Sequence, residues 1–336
     1  MSSKKPSASA FCVYVADKIS PAGVRILEKT AGIRVVFGPD LDDAGKRKAL
    51  VDAEALIVRS ETLVTKAYLG GAPKLRLIAR AGVGVDNIDV VEATRRGVIV
   101  CNTPGGNTIS TAELTITLLL AVTRNIPFAD RSVRDGKWER SKFKGAEVYK
   151  KTIGVIGLGR IGREVARRAA ALGMIVVGYD PFLTAASVAD IGVKYVELDE
   201  IYRTADFITL HVPLTDKTRD MIAIKEIRKM KKSIRLLNCA RGGLINEADL
   251  AAALEQGLIA GAAIDVFSKE PPVGNPLLKA PNIIFTPHLG ASTEEAQESV
   301  AIEATEIIRQ FVDTGAAPNS VNLPVVDAKT MEFVRP

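Results

Sequence analysis

The sequence has few of the residues that form disulfides or bind metals. Among its 336 residues there are three cysteines, two histidines and one tryptophan. Cys12, Cys101 and Cys239 are far apart and odd in number, so they fit neither a disulfide framework nor a zinc spacing. We therefore expect no metal site and a reducing compartment, the cytoplasm.

Long apolar runs and blocks of one charge are also missing. No run approaches the roughly 18–20 residues that span a bilayer, and residues 1–10 lack the apolar stretch of a signal peptide, so we expect a disordered tail there. The 45 basic residues are interleaved with 39 acidic ones, for a net charge of +6. A nucleic-acid binder usually concentrates its basic residues in a patch. We expect a soluble protein with no membrane or nucleic-acid partner, and the mild positive charge suits a small anionic substrate.

Short β-branched runs alternate with helical stretches in two blocks, one from Phe11 and one of six runs from Lys151. This βαβ rhythm predicts α/β architecture with two doubly wound parallel sheets. Residues 319–326 read as an extended segment that returns to the first domain. The expectation is a Rossmann domain, residues 105–291, inserted in a discontinuous flavodoxin-like domain formed by residues 11–104 and 292–336.

A long helical pattern covers residues 107–133, is interrupted at Pro127, and is apolar almost all round in its second half. Such a helix is either buried in the core of its own domain or covered by another surface. We expect residues 111–122 to lie against a second copy of the chain, which would make the protein a homodimer.

A glycine-rich turn with the sequence GLGRIG lies between an apolar strand and a helix. Gly157 would permit the tight turn, Gly159 would let backbone approach a pyrophosphate, and Gly162 would let the helix pack closely on the strand. The amides of Arg160 and Ile161 would then face the phosphates at a helix N-terminus. The flanking strand and helix make this pattern typical of a dinucleotide site.

The second strand of this block ends next to Asp180, which lies 21 residues beyond Gly159. A carboxylate at this point can accept hydrogen bonds from the hydroxyls of the adenosine ribose. It would repel the 2′-phosphate of NADP, and the following residues, Pro181 and Phe182, offer no cation for that phosphate. The pattern therefore favours NAD.

The chemistry of an alcohol or carbonyl substrate needs an acid/base group, and the chain has only two histidines. His211 follows one strand, where cofactor contacts accumulate, and His288 follows another, with Glu270 eighteen residues before it. A carboxylate beside an imidazole raises its pKa and selects its tautomer. Arg241 follows a third strand and could clamp a substrate carboxylate with paired hydrogen bonds.

Six segments together resemble the D-isomer-specific 2-hydroxyacid dehydrogenases: NTPGGNTISTAE, DGKWER, GLGRIGREVA, NCARGG, DVFSKEPP and PHLGAST. The resemblance runs from about Phe11 to Val326, and is greatest to the members that oxidise D-3-phosphoglycerate. It implies that His288 moves the hydroxyl proton, that Glu270 tunes His288, and that Arg241 holds and polarises the substrate. Longer relatives carry additional regulatory domains, and because this sequence ends near Pro336 we expect no feedback inhibition by serine through such a domain.

The resemblance also supplies two sets of expected contacts. The residues expected to contact NAD are Val83, Gly157, Gly159, Arg160, Ile161, Gly162, Asp180, His211, Val212, Pro213, Cys239, Ala240, Arg241, Asp265, His288 and Gly290. The residues expected to contact substrate are Arg59, Ser60, Arg80, Val83, Gly84, Asn107, Arg241 and His288. Val83 and Val212 stand where close relatives often carry threonine, so a hydroxyl contact to NAD would be lost at each.

The expected reaction is the NAD-dependent oxidation of D-3-phosphoglycerate to 3-phosphohydroxypyruvate by hydride transfer, the first step of L-serine biosynthesis. Arg59 and Arg80 stand where the resemblance places cations for the 3-phosphate, and Arg140 is a third candidate. Glu61, two residues after Arg59, could neutralise this site or repel the phosphate. One alternative is a hydroxypyruvate, glyoxylate or other D-2-hydroxyacid reductase, which would keep the same catalytic residues. A more distant alternative is an NAD-sensing corepressor, which would bind a partner protein.

Overall fold

The structure is a computed structural model that describes residues 10–324 of the chain. The described residues form two compact units. The first contains the residues up to Asn107 together with those from Thr293 onward, and the second is Thr108–Ser292. Apart from Ala10, the tail predicted for residues 1–10 lies outside the described residues, as do the last two residues of the segment 319–326.

Parallel strands and helices alternate along most of the chain. The strands are β1 (Phe11–Val15), β2 (Ile33–Phe37), β3 (Ala55–Val58), β4 (Leu77–Arg80), β5 (Ile99–Asn102), β6 (Thr152–Ile156), β7 (Ile175–Tyr179), β8 (Lys194–Tyr195), β9 (Phe207–Leu210), β10 (Arg235–Asn238), β11 (Gly261–Ile264) and β12 (Ile283–Phe285). The α-helices are α1 (Pro21–Glu28), α2 (Asp43–Asp52), α3 (Lys66–Gly70), α4 (Val90–Arg95), α5 (Thr108–Thr123), α6 (Ile126–Arg134), α7 (Arg160–Ala171), α8 (Leu198–Thr204), α9 (Ile224–Ile227), α10 (Glu247–Glu255) and α11 (Glu294–Thr314).

The first unit is a five-stranded parallel sheet in the order β2-β1-β3-β4-β5. This is the flavodoxin-like strand order. Helices α1 and α11 pack together, and a Cβ on Gly23 would lie 2.8 Å from the carbonyl oxygen of Ala301 in α11. The segment after α11 returns to this sheet, since Ser320 forms an antiparallel bridge with Cys101.

The second unit is a parallel sheet in the order β12-β11-β10-β9-β6-β7-β8. The order reverses at β6, as it does in the Rossmann fold. The sequence predicted six strands here, and the structure adds β8. Two residues are too few to show the period-two pattern from which strands are recognised. The prediction of two doubly wound parallel sheets is confirmed.

One predicted helix boundary was wrong. The long helical pattern breaks at Arg124 and Asn125, before Pro127. Pro127 itself lies in the first turn of the next helix, where proline is tolerated. Helix α11 begins at Glu294, where the Thr293 hydroxyl caps it by accepting a hydrogen bond from the Ala296 amide. No helix within residues 10–324 is long and apolar enough to cross a membrane.

Candidate functional site

The carboxyl ends of parallel strands meet at one edge of a sheet, which is where ligands bind in open α/β folds. In the second unit this edge carries most of the residues that the sequence singled out. Each of these residues lies within three residues of the end of a strand: Gly157 after β6, Asp180 after β7, His211 after β9, Cys239 and Arg241 after β10, Asp265 after β11 and His288 after β12.

The three glycines of the turn after β6 meet three different surroundings. Gly157 has a φ of 93°, and a Cβ there would lie 2.5 Å from the carbonyl oxygen of His211. A Cβ on Gly162 would lie 1.9 Å from the carbonyl oxygen of Gly157, so only glycine permits this helix–strand approach. A Cβ on Gly159 would meet nothing within 4 Å. The space over Gly159 therefore suits a ligand group that must come close to backbone.

The first-turn amides of α7, which begins at Arg160, face this space. The helix has Gly159 at its N-cap and no side-chain cap. First-turn amides have no partner within a helix, and they bind anions such as phosphate. The geometry at the amino end of α7 fits the pyrophosphate of a dinucleotide.

Asp180 lies beside the glycine turn and accepts two backbone hydrogen bonds. Its Oδ2 accepts from the amide of Leu158 at 3.0 Å, and its Oδ1 accepts from the amide of Phe182 at 2.9 Å. These bonds fix the carboxylate next to the turn. A carboxylate oxygen has further lone pairs, so Asp180 can still accept from ribose hydroxyls.

His288 and Glu270 are brought together, as the sequence predicted. Nδ1 of His288 lies 2.7 Å from Oε2 of Glu270, and both side chains are partly exposed. The hydrogen bond with Glu270 raises the pKa of His288 above its ordinary value, although burial and the charge of Arg241 oppose the rise. Burial works to raise the pKa of Glu270, but bonds from His288 and from the Phe267 amide bring that pKa below its ordinary value.

The loop that carries His288 is held by Asp265, which is fully buried. Its Oδ1 accepts from Thr286 and from the Leu289 amide, at 2.5 and 2.7 Å, and its Oδ2 accepts from the Gly290 amide at 3.0 Å. His288 itself has a φ of 56°, a left-handed conformation that non-glycine residues seldom adopt. Such strain persists only where the surroundings enforce it, and it is common at functional sites.

Arg241 and Cys239 lie on the loop that follows β10. The carbonyl of Arg241 accepts a hydrogen bond from Asn238, and its guanidinium donates to the carbonyl of Ala240. The charge of Arg241 acts on both His288 and Glu270, so the guanidinium lies near the pair. Cys239 is buried, and burial raises the pKa of its thiol to about 12. A neutral thiol of this kind is not a nucleophile.

His211, with its neighbours Val212 and Pro213, occupies a different position. Its Nε2 lies 2.9 Å from the hydroxyl of buried Thr209, and its Nδ1 is buried with no hydrogen-bond partner. Burial lowers the pKa of His211 to about 3, so the ring is neutral at every physiological pH. Val212 lies against the glycine turn, 2.8 Å from a Cβ placed on Gly157. His288 is therefore the histidine that can exchange a proton.

The predicted substrate residues of the first unit follow β3 and β4. The backbone of Arg59 is held by Asp17 and Asn87, while its guanidinium makes one long bond, 3.4 Å, to the carbonyl of Lys18. Ser60 is exposed. Within residues 10–324, Arg59 and Glu61 form no ion pair with each other. The cation is thus not neutralised by its acidic neighbour.

The loop after Arg80 depends on glycine. Gly82 has a φ of 150°, and a Cβ there would overlap Nη1 of Arg80, which lies 1.4 Å away. Asn102 donates a hydrogen bond to the carbonyl of Val83 at 2.6 Å. No backbone carbonyl of the described residues accepts from the amides of Val83 or Gly84. Two successive amides are therefore left without a backbone partner, as an anion-binding loop requires.

Asn107 is the last residue of the first of the two segments that form the first unit. Its Oδ1 is buried and has no hydrogen-bond partner. Buried polar atoms are almost always paired, so an orphan atom calls for an explanation such as a ligand.

Three residues near His288 were missed by the sequence analysis: Ser110, Thr111 and Thr286. Each donates a hydroxyl hydrogen bond to the His288 loop or to Asp265, which holds it. The only signal was the hydroxyl-rich start of a helix, residues 108–111, which is also typical of a plain helix cap. Their use depends on contacts made across the fold.

Comparison with known proteins agrees with this geometry. The family model described as "D-isomer specific 2-hydroxyacid dehydrogenase, NAD binding domain" matches residues 116–290, slightly more than half of the chain. The chain belongs to this family. The second unit therefore contains the NAD-binding domain of this family, and NAD is the cofactor.

Curated relatives share much of the sequence. A D-3-phosphoglycerate dehydrogenase from Methanocaldococcus jannaschii is 47% identical over 325 residues, which is 96% of this chain and 62% of that protein. One from Synechocystis is 45% identical over 324 residues, 96% of this chain and 58% of that protein. The chain thus spans about three fifths of the length of these relatives.

Solved structures show the same fold. The TT0316 protein from Thermus thermophilus has a TM-score of 0.80 with 34% identity, covering 92% of this chain and 99% of that one. A D-lactate dehydrogenase from Aquifex aeolicus, complexed with NAD and lactic acid, has a TM-score of 0.79 with 27% identity, covering 93% and 99%.

Proposed function

We propose that this protein oxidises D-3-phosphoglycerate to 3-phosphohydroxypyruvate with NAD, the first step of L-serine biosynthesis. The observation that carries the proposal is the His288–Glu270 pair, at 2.7 Å, beside Arg241 at the carboxyl edge of a dinucleotide-binding sheet. The choice of substrate is supported by the M. jannaschii relative, a D-3-phosphoglycerate dehydrogenase, which is 47% identical.

The chain's residues divide the work of removing one proton and one hydride from the substrate. Arg241 would hold the substrate carboxylate through paired hydrogen bonds and so orient carbon 2. With the Nδ1 proton donated to Glu270, Nε2 of His288 is left to accept the hydroxyl proton. Glu270 then stabilises the imidazolium that forms. NAD, when bound, accepts the hydride from carbon 2.

In the same proposal residues 11–104 and 292–336 form the domain that recognises the substrate. The amides of Val83 and Gly84 would bind its carboxylate. Arg59 and Arg80 would bind the 3-phosphate, and the absence of an ion pair between Arg59 and Glu61 keeps that cation available. The second unit binds NAD and carries the catalytic groups.

A substrate panel tests this function. NADH oxidation would be followed with 3-phosphohydroxypyruvate, hydroxypyruvate, glyoxylate and pyruvate, and NAD reduction with the corresponding D-hydroxy acids. We expect the highest kcat/KM for the phosphorylated substrate.

Equal or higher kcat/KM for hydroxypyruvate or glyoxylate would instead make the protein a reductase of small keto acids. That second candidate is favoured by a glyoxylate reductase from Paecilomyes thermophila, which is 28% identical and has a TM-score of 0.83. If the protein turned over neither the phosphorylated nor the unphosphorylated substrates, a binding role would be the remaining candidate.

We propose further that the protein is a homodimer. Part of α5 lies on its own sheet through Leu118, Leu119 and Val122, so its apolar composition is largely explained within one unit. A second set of apolar side chains remains exposed along residues 120–138: Leu120, Ile126, Phe128, Val133 and Trp138. Exposed apolar groups concentrated in one stretch typically mark an interface, and most interfaces between identical chains are two-fold.

Matched valine substitutions test the dimer. Val133 is 55% exposed within this stretch and Val273 is 81% exposed outside it. Val133→Asp should give a monomer in light scattering at micromolar concentration, while Val273→Asp should keep the wild-type mass. Trp138, the single tryptophan, should emit at longer wavelength in the Val133→Asp variant. A monomeric wild-type protein would refute the proposal.

The three cysteines are free and buried. Free thiols suit a reducing environment, and we propose that the protein works in the cytoplasm.

A further inference from the structure

The carbonyl oxygen of Gly290 accepts two hydroxyl hydrogen bonds from the first turn of α5. Oγ of Ser110 and Oγ1 of Thr111 each donate to it, and both distances are 2.9 Å. The approach is close, since a Cβ on Gly290 would lie 3.3 Å from Oγ1 of Thr111. Gly290 is two residues beyond His288, so α5 is fastened directly to the catalytic loop.

Other hydroxyls of α5 behave differently. Thr115, Thr117 and Thr123 each donate to the carbonyl four residues earlier in their own helix. This is the usual local bond of a threonine within a helix. Ser110 and Thr111 instead donate across 180 and 179 residues of sequence. Their bonds therefore determine the position of another segment.

The amide side of Gly290 is held as well. Gly290 donates its amide hydrogen to Oδ2 of Asp265 at 3.0 Å, and Leu289 donates to Oδ1. The loop is thus fixed from one side by Asp265 and from the other by the two hydroxyls. Between these attachments and β12 lies His288, in its left-handed conformation with a φ of 56°.

We propose that Ser110 and Thr111 are positioning residues for catalysis, whose hydroxyls hold Gly290 so that His288 keeps its hydrogen bond to Glu270. Without them the carbonyl of Gly290 loses its donors, and the strained backbone at His288 can relax toward a more common conformation. The imidazole would then spend less time against Glu270.

Titration of His288 by NMR tests this without any substrate. The chain has two histidines, and burial lowers the pKa of His211 to about 3, so in 13C-histidine-labelled protein only His288 titrates between pH 5 and 9. The charged groups that act on His288 are Glu270, Asp265 and Arg241. In the Ser110→Ala/Thr111→Val double variant its midpoint should fall by about half a pH unit or more, toward the ordinary value.

Two variants serve as controls. Thr111→Ser keeps the hydroxyl and should titrate as the wild type does. Thr117→Val removes an exposed hydroxyl of the same helix that bonds only within α5, and it should also leave the midpoint unchanged. An unchanged His288 midpoint in the folded double variant would overturn the proposal. If that variant does not fold, the single variants Ser110→Ala and Thr111→Val decide, because each should lower the His288 midpoint by a smaller amount. An unchanged midpoint in both single variants would contradict the proposal.

Kinetics give a second readout, which rests on the proposed function. The double variant should lose kcat about tenfold while its KM for NADH stays near the wild-type value, and the Thr111→Ser variant should keep most of the wild-type kcat. An equal loss of NADH binding would indicate a general structural role and contradict positioning. Failure of the wild type to turn over D-3-phosphoglycerate would refute the proposed function alone, since the NMR titration does not depend on it.

Discussion

The carboxyl edges of the two sheets hold their candidate residues in different ways. In the second unit the groups bond to one another: Glu270 to His288, and Asp265 to the loop around His288. In the first unit, Arg59 makes one long bond to a backbone carbonyl, and Asn107 keeps an orphan oxygen. One edge is organised mainly by bonds among its own side chains, and we expect the groups of the other edge to gain their partners from a ligand.

This difference matches two kinds of task. A proton-transfer group must have its pKa and orientation set before the reaction, because errors in either reduce the rate directly. Groups that recognise an anion gain most when the ligand itself supplies their missing partners. We therefore expect substitutions in the second unit to act on kcat and its pH dependence, and those in the first unit to act on substrate affinity.

The largest expected effect is that of His288→Asn. Removal of the only titrating imidazole should lower kcat by roughly 100- to 10,000-fold, with NADH binding nearly unchanged, as measured by steady-state kinetics and NADH fluorescence. The matched variant is His211→Asn, in which the pH-dependent limb of kcat should persist, because His211 is buried and neutral. Retention of more than about a tenth of kcat in His288→Asn would exclude the proton-transfer role.

The next effect sharpens the contrast by using substrates with and without a phosphate. Arg59→Ala and Arg80→Ala should each lose about 1.5–3 kcal/mol of binding, a typical value for a charge-assisted hydrogen bond. The loss should appear in kcat/KM for 3-phosphohydroxypyruvate and be nearly absent for hydroxypyruvate. Equal losses for both substrates would mean that these arginines serve the carboxylate or the fold.

The smallest effect in rate is expected for Glu270→Gln, and it should appear mainly in the pH profile. The hydrogen bond with Glu270 raises the pKa of His288, so the imidazolium needed for reduction persists to higher pH in the wild type. In the variant this pKa falls, and the high-pH limb of the reduction profile should move to lower pH. For oxidation, which needs neutral His288, activity should begin at lower pH. Superimposable profiles would contradict the tuning role.

Local patterns predicted the fold well because they depend on neighbouring residues. Short β-branched runs between helical stretches identified most strands of both sheets. The glycine turn after β6 was recognisable because φ values such as the 93° of Gly157 exclude most other residues. The failures were also local in origin. Strand β8, at Lys194–Tyr195, is too short to show a period, and the proline in the first turn of α6 obscured where α5 ends.

The site was predictable only in part. The sequence by itself determined which side chains were available: two histidines, a carboxylate eighteen residues before one of them, and an aspartate at the expected distance from a glycine turn. Glu270 eighteen residues earlier and the family resemblance already favoured His288 over His211 as the proton-transfer group. Only the tertiary structure gave the physical reason, because it buries the ring of His211 and leaves His288 beside Glu270. The same holds for Ser110 and Gly290, which lie 180 residues apart. Burial and long-range hydrogen bonds arise from the packing of distant segments, so no spacing within the chain reveals them.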